Sequence, residues 1–274
     1  MDRAGGFRRA ALPALVVAAL AAPSGASAAT VENRGHAIVF SAAAGELNHV
    51  HVTGAGDGVD ITDVVPITAG TGCAYRDPAS NTVHCDGPVS NLWIELGDGD
   101  DFVQLDDLAA LPGELHPYVA GGSGDDTVIG SDVPDNVWAG PGNDTIDGRG
   151  GGDYLNGEEG ADTIRGGPGT DNIHGGLGND RINGGTDYDY IYGDEGADTI
   201  DSRDPLPPGG PPDAQPTTDD VRCGPGVDAQ QADEYDGSDS CERVERPSDR
   251  SAVCPHLERS DCCRERICDV VRRR

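Results

Sequence analysis

The chain has 274 residues and a formal net charge of −30, from 49 Asp and Glu against 19 Lys and Arg. Such acidity excludes nucleic acid and anionic membrane surfaces as partners, because both would be repelled, and it favours divalent cations. With aromatics at 4% and 41 glycines, the composition argues against one large packed core.

The N-terminus has the layout of an export signal. Arg3, Arg8 and Arg9 precede an apolar run over 10–22 that is too short for a membrane span, and Ala26-Ser27-Ala28 offers a cleavage site. A secreted, extracellular protein is expected, with no transmembrane segment in the mature chain. Eight cysteines in an exported chain suggest disulfides. Cys73 and Cys85 bracket a short turn-like segment, and Cys223 and Cys241 bracket an acidic loop; each pair is expected to close locally. The pairing of Cys254, Cys262, Cys263 and Cys268 stays open.

Residues 30–111 alternate apolar and polar positions in short runs, among them HAIVF, HVHV, VDITDVV, NTVHC, NLWIEL and FVQL. These read as short strands between Gly/Asp turns. The His49/His51 pair shares one strand face, where solvent contact is a better reading than metal binding. Leu96–Val103 looks like an isolated repeat unit, with Asp98, Asp100 and Asp101 as candidate ligands. It precedes the first regular repeat by 25 residues, so it is expected to lie in an irregular cap, outside the register of the array.

From residue 121 to 201 the chain keeps a strict period of nine. Asp126, Asp135, Asp144, Asp153, Asp162, Asp171, Asp180, Asp189 and Asp198 recur at that spacing. Two positions after each stands a branched aliphatic residue, from Val128 and Val137 to Ile191 and Ile200. Glycines fill most places two and five before each Asp. A fixed period of this kind means stacked units that bury their apolar residues only collectively. Glycines permit positive φ and bring carbonyl oxygens towards an ion, and a hard cation such as calcium takes six to eight carboxylate and carbonyl oxygens.

The pattern Gly-Gly-x-Gly-x-Asp-x-aliphatic-x resembles the RTX, or haemolysin-type, calcium-binding nonapeptide over residues 121–201. The resemblance implies an all-β fold, a parallel β-roll (solenoid) closed by irregular β caps. In it the first six residues of a repeat form a calcium-binding turn, the last three form a strand, and two repeats complete one coil. Alternate loops then face opposite sides, and ions sit between neighbouring loops of one side. Row one carries Asp126, Asp144, Asp162, Asp180 and Asp198, with Gly122, Gly124, Gly140, Gly142, Gly160, Gly176, Gly178 and Gly196 among the turn glycines of the array. Every row-one loop keeps glycine two places before its Asp, which implies four sites. Row two carries Asp135, Asp153, Asp171 and Asp189. Val133 and Asp187 replace its first and last such glycine, leaving one site, between the Asp153 and Asp171 loops. Pro134 further disfavours a regular turn at Asp135.

Stacked strands lie about 4.8 Å apart. Like charges at that distance repel by roughly 1 kcal/mol in water and about 3–4 kcal/mol at an effective dielectric of 20. The array is therefore expected to fold on binding calcium. After it, residues 202–217 form a Pro-rich break where regular pairing should stop. Cys223–Asp228 is a degenerate unit read as a C-terminal cap, with Asp228 a further candidate ligand, and 248–274 is an Arg/Cys-rich tail expected to lack order. The division expected is 1–28 signal peptide, 29–111 N-terminal β region and cap, 112–201 roll, 202–247 break and cap, 248–274 tail.

No His-Glu-x-x-His or Gly-x-Ser-x-Gly motif occurs, and the chain is not expected to be an enzyme. The favoured reading is a secreted calcium-binding protein with a structural or surface-interaction role, meeting cell-surface or extracellular matrix components. The alternative is a small secreted enzyme or toxin-like protein that uses the array as a calcium-dependent folding aid.

Overall fold

A computed structural model of the protein describes residues 28–245 except 57, 78, 205–217, 233–235, 237 and 242. The stretch expected to be an export signal, most of the Pro-rich break and the Arg/Cys-rich tail lie outside the described residues. The rest is all-β apart from a short 3-10 turn at Leu108–Ala110.

The period of nine becomes a two-sheet solenoid because each nonapeptide holds one turn and one short strand, and successive strands go to opposite sheets. Thr127–Ile129, Thr145–Asp147, Thr163–Pro168, Arg181–Thr186 and Thr199–Asp201 pair in parallel in one sheet; Asn136–Pro141, Tyr154–Glu159, Asn172–Leu177 and Tyr190–Glu195 pair in parallel in the other. The register matches like with like. Val128 faces Ile146, which faces Ile164, and Val137 faces Leu155, which faces Ile173. All nine aliphatic residues of the array are at most 2% exposed. They form the thin core between the sheets, which no single repeat could bury alone.

The roll does not stop where the strict period does. Asn91–Asp98 and Phe102–Asp106 pair in parallel with His116–Ser123 and Thr127–Ile129, with Val103 opposite Val128. The Leu96–Val103 unit thus stands in register with the array, contrary to the expectation of an irregular cap. The reason is that 107–115, including the 3-10 turn, loops out and absorbs the extra residues. One coil earlier, Ala37–Ser41 and His49–Ala55 pair in parallel onto the same two sheets. At the other end, Asp220–Arg222 and Ala229–Gln231 continue both sheets on Tyr190–Glu195 and Thr199–Asp201. Pairing resumes beyond the break, and the unit read as a C-terminal cap forms a further coil.

Antiparallel strands close the N-terminal end: Ala29–Asn33 on Ala37–Ser41, and Gly58–Thr62, Thr82–Cys85 and Cys73–Asp77 beyond His49–Ala55. Such closure covers an edge that would otherwise invite pairing with another chain. The segment between Cys73 and Cys85 is a hairpin in which the expected NTVHC strand pairs with a second strand, Cys73–Asp77, where a turn was expected. The cysteines stand directly opposite each other and form a disulfide, as do Cys223 and Cys241 in the last coil. Phe40, Ile61, Leu92, Ile94 and Leu105 make the N-terminal core thicker than that of the array.

One outer face carries a ladder of rings: Trp93, Tyr118, Trp138, Tyr154, His174 and Tyr192, with centroids 4.2 to 6.4 Å apart and Arg222 over the last. The near-parallel neighbours at 4.2 and 4.5 Å stand on edge, their faces covering one another, since strands are about 4.8 Å apart. Each such pair contributes about 0.5–1.5 kcal/mol, which suits a fold with so thin an interior.

Candidate metal centre

Each turn of the array places its Asp where the chain enters a strand, and burial there is nearly complete: the nine are at most 2% exposed. One carboxylate oxygen is used in the same way throughout. The amide of Asp126 donates to Oδ1 of Asp144 at 2.7 Å, Asp144 to Asp162 at 2.8 Å, Asp162 to Asp180 at 2.8 Å and Asp180 to Asp198 at 2.9 Å. In the second row, Asp135, Asp153 and Asp171 donate to Asp153, Asp171 and Asp189 at 2.8–2.9 Å. The structure thus brings the predicted carboxylates together as two columns, one on each side of the roll.

The other oxygen is not used. Oδ2 of Asp126, Asp144, Asp153, Asp162, Asp171, Asp180, Asp189 and Asp198 is buried and accepts no hydrogen bond. It also faces another acceptor. A Cβ placed on Gly157 would meet Oδ2 of Asp162 at 2.2 Å and the Gly175 carbonyl oxygen at 2.5 Å; Gly166 and Gly175 stand in the same relation to Asp171 with Gly184 and to Asp180 with Gly193. The carboxylate oxygen and a carbonyl oxygen thus lie beside the same glycine, and Oδ2 has no donor. A buried unpartnered carboxylate is costly unless a proton or a cation joins it.

Further oxygens converge along each column. The carbonyls of Gly124, Gly142, Gly160 and Gly178 point at the glycine one coil on, where a Cβ at Gly142, Gly160, Gly178 or Gly196 would lie 1.4–1.9 Å from them. Gly122 and Glu158 aim their carbonyls at Gly140 and Gly176 in the same manner. Glycine is therefore required two places before the row-one aspartates by contact, and at Gly124, Gly160 and Gly178 by positive φ as well. The other turn position is more tolerant, for Arg149, Glu158 and Asp194 all take positive φ there. Gly160→Ala, at φ 148° and 1.4 Å from the Gly142 oxygen, is expected to break the stack at that coil, lowering the calcium-saturated thermal midpoint by 10 °C or more in a melt followed by circular dichroism. An unchanged midpoint would mean that the loops are not packed this tightly.

Burial pushes these carboxyls up. Asp126, Asp162, Asp171 and Asp198 are raised to about 6, Asp135 and Asp144 to about 7, and Asp153 and Asp189 to about 8, with desolvation first and neighbouring carboxylates adding to it for most. Asp180 and Asp101 are raised for the same first reason. No group of three or more His, Cys, Asp or Glu side chains is arranged to hold a metal among the described residues. A cation here must take carbonyl oxygens as well, which is what calcium accepts and softer metals do not. The residues present fit calcium.

Row two begins differently. Both oxygens of Asp135 accept from Ser131, through its amide at 2.6 Å and its hydroxyl at 3.1 Å. The Arg149 guanidinium bonds Oδ1 of Asp106 at 2.7 Å and the Leu105 carbonyl at 3.0 Å, and its charge also favours the ionised form of Asp135. The last loop of that row keeps a left-handed turn at Asp187, φ 79°. Sequence reasoning missed Arg149, which sits at a turn position usually held by glycine, and Asn48, whose amide takes the Asp position in the coil before Asp101. His49 and His51 lie on the outer sheet face, against Phe102 and bonded to Asp106.

Among known families, the RTX calcium-binding nonapeptide repeat (4 copies) matches residues 120–155, 147–182 and 174–204. No curated protein matches the chain. The array consists of RTX repeats, and the chain is a calcium-binding protein built on a roll of them. No helix among the described residues is long and apolar enough to cross a membrane.

Proposed function

We propose that the protein is secreted and that its roll is a structural module held together by extracellular calcium, with a surface-interaction role and no catalysis of its own. The observation that carries this reading is the series of buried Oδ2 atoms facing carbonyl oxygens, repeated coil after coil. The ions would lie in the row-one gaps from Asp126 to Asp198 and in the row-two gap between Asp153 and Asp171. The Asp135 loop, satisfied by Ser131, would hold none. Two disulfides support an oxidising compartment. Residues 29–111 would act as the N-terminal β region and 202–247 as the closing segment. Cell-surface or matrix components are the partners that suit an exported, acidic scaffold.

The test is a count of bound calcium by equilibrium dialysis with metal analysis. Asp144 borders two gaps, so Asp144→Ala should loosen both and lower the count by two. An unchanged count would refute the assignment.

A further inference from the structure

We propose that the row-one calcium column begins one coil before the repeats, with an ion between the 97–101 and 122–126 loops that clamps the N-terminal β region onto the array. The inference rests on the calcium reading above and adds a site with one loop, 97–101, outside the residues that match the family. The two loops are 25 residues apart in sequence, against 18 between neighbouring row-one loops, so no period reveals them.

The geometry of this gap repeats that of the array in its backbone steps, its turn carbonyls and its unpartnered Oδ2. The Asp101 amide donates to Oδ1 of Asp126 at 2.8 Å, within the range of the regular steps. The Gly97 and Gly99 carbonyls point at Gly122 and Gly124, where a Cβ would lie 1.8 and 2.0 Å away. The Asp125 amide donates to Oδ1 of Asp100 at 2.9 Å, as the Asn143 amide does to Asp125 at 2.7 Å. Oδ2 of Asp101, a residue 3% exposed, is buried without a partner. One coil earlier the series ends. There Asn48 occupies the Asp position, and its Nδ2 donates to the Leu96 carbonyl at 3.3 Å and to Oδ1 of Asp101 at 3.2 Å. A donor stands where Asp101 and the row-one aspartates from Asp126 to Asp198 carry an unpartnered Oδ2, and the one orphan acceptor of that side chain is a neutral amide Oδ1, so no buried carboxylate there calls for a cation.

The consequence is a division of labour between the two edges of the junction. On the row-two edge, Arg149 reaches back to Asp106 and Leu105 and needs no ion. On the row-one edge the fastening is calcium. Between them loops the 107–115 excursion, whose position depends on both.

The experiment uses the whole mature chain. Asp101→Asn installs the side chain that the preceding coil already carries, so folding should survive, and the calcium-induced circular dichroism change verifies it. The variant is expected to bind one calcium fewer than the wild type. In saturating calcium its 107–115 excursion should be cut by protease at least tenfold faster, while Asp162→Asn, which borders two gaps far from the junction, leaves that rate unchanged. An Asp101→Asn variant with the wild-type ion count overturns the clamp alone. Equal protease resistance of the wild-type excursion in calcium and in chelator also overturns it. A wild type that binds no calcium defeats the calcium reading itself.

Discussion

Removal of calcium at pH 8 is expected to unfold the array and spare the N-terminal region. In chelator, the far-UV circular dichroism of the mature chain should lose most of the β signal that residues 121–201 contribute. Calcium should restore it cooperatively with a midpoint in the ~0.1–1 mM range of extracellular modules, and magnesium should not. Each repeat buries one aliphatic side chain, which contributes about 1.5–3 kcal/mol. Against it stands a carboxylate that is buried, unpartnered at Oδ2 and stacked on its like; an uncompensated buried ion costs several kcal/mol. The apolar gain cannot offset that penalty repeat by repeat, and calcium removes it. A ligand held only by the folded state adds about 2.7 kcal/mol at a hundred times its Kd, and an ion between two coils couples their folding, so the transition should be steep. The N-terminal region behaves otherwise, because Phe40, Ile61, Leu92, Ile94 and Leu105 fill a thicker core and Cys73–Cys85 ties its hairpin. A full β signal in chelator at this pH would defeat the argument, since some other group would then have to neutralise the columns.

The roll itself was legible because a period of nine fixes which residue enters the core and which enters the turn. Val128, Ile146 and Ile164 stack as that period demands. What stayed hidden is what periodicity cannot count. Asp101 and Asp126 are adjacent rungs although 25 residues separate them, seven more than the regular 18, and Asp198 and Asp228 are adjacent across 30. The roll pairs strands and ignores the length of chain that loops out between them. Asn48 was invisible for another reason: Ala43 and Glu46 stand where the repeat has glycine five and two places earlier, so only the strand register and the hydrogen bond to Asp101 reveal its place. Arg149 was hidden because its partner, Asp106, is two strands away in the sheet. The strand Thr82–Cys85 was legible as NTVHC, but its partner Cys73–Asp77 was masked by the turn residues that follow it.

Acid is expected to do part of the work of calcium. In chelator, the array should be more stable at pH 5 than at pH 8, judged by urea midpoints from circular dichroism. The sign follows from burial. Asp144 is raised to about 7 and Asp153 and Asp189 to about 8, against about 3.9 in an unfolded chain. The folded state therefore binds more protons across that interval, and the stability these groups contribute is fully present below about pH 4 and is lost as pH rises through 6–8. Oδ2 is the oxygen left to take the proton, because it has no donor. The Gly175 carbonyl lies beside the same glycine as Oδ2 of Asp162, and a protonated Oδ2 could donate to it. Asn48 already displays the outcome, with its Nδ2 donating to the Leu96 carbonyl. Asp162→Asn should accordingly raise the chelator midpoint at pH 8 while giving up calcium. Calcium should bind the wild type more weakly at pH 5 than at pH 8, because proton and ion compete for the same oxygens. If the calcium-free array grew more stable between pH 5 and pH 8, the buried columns would have to be ionised and satisfied without any ligand, and both the acid effect and the need for calcium would fail together.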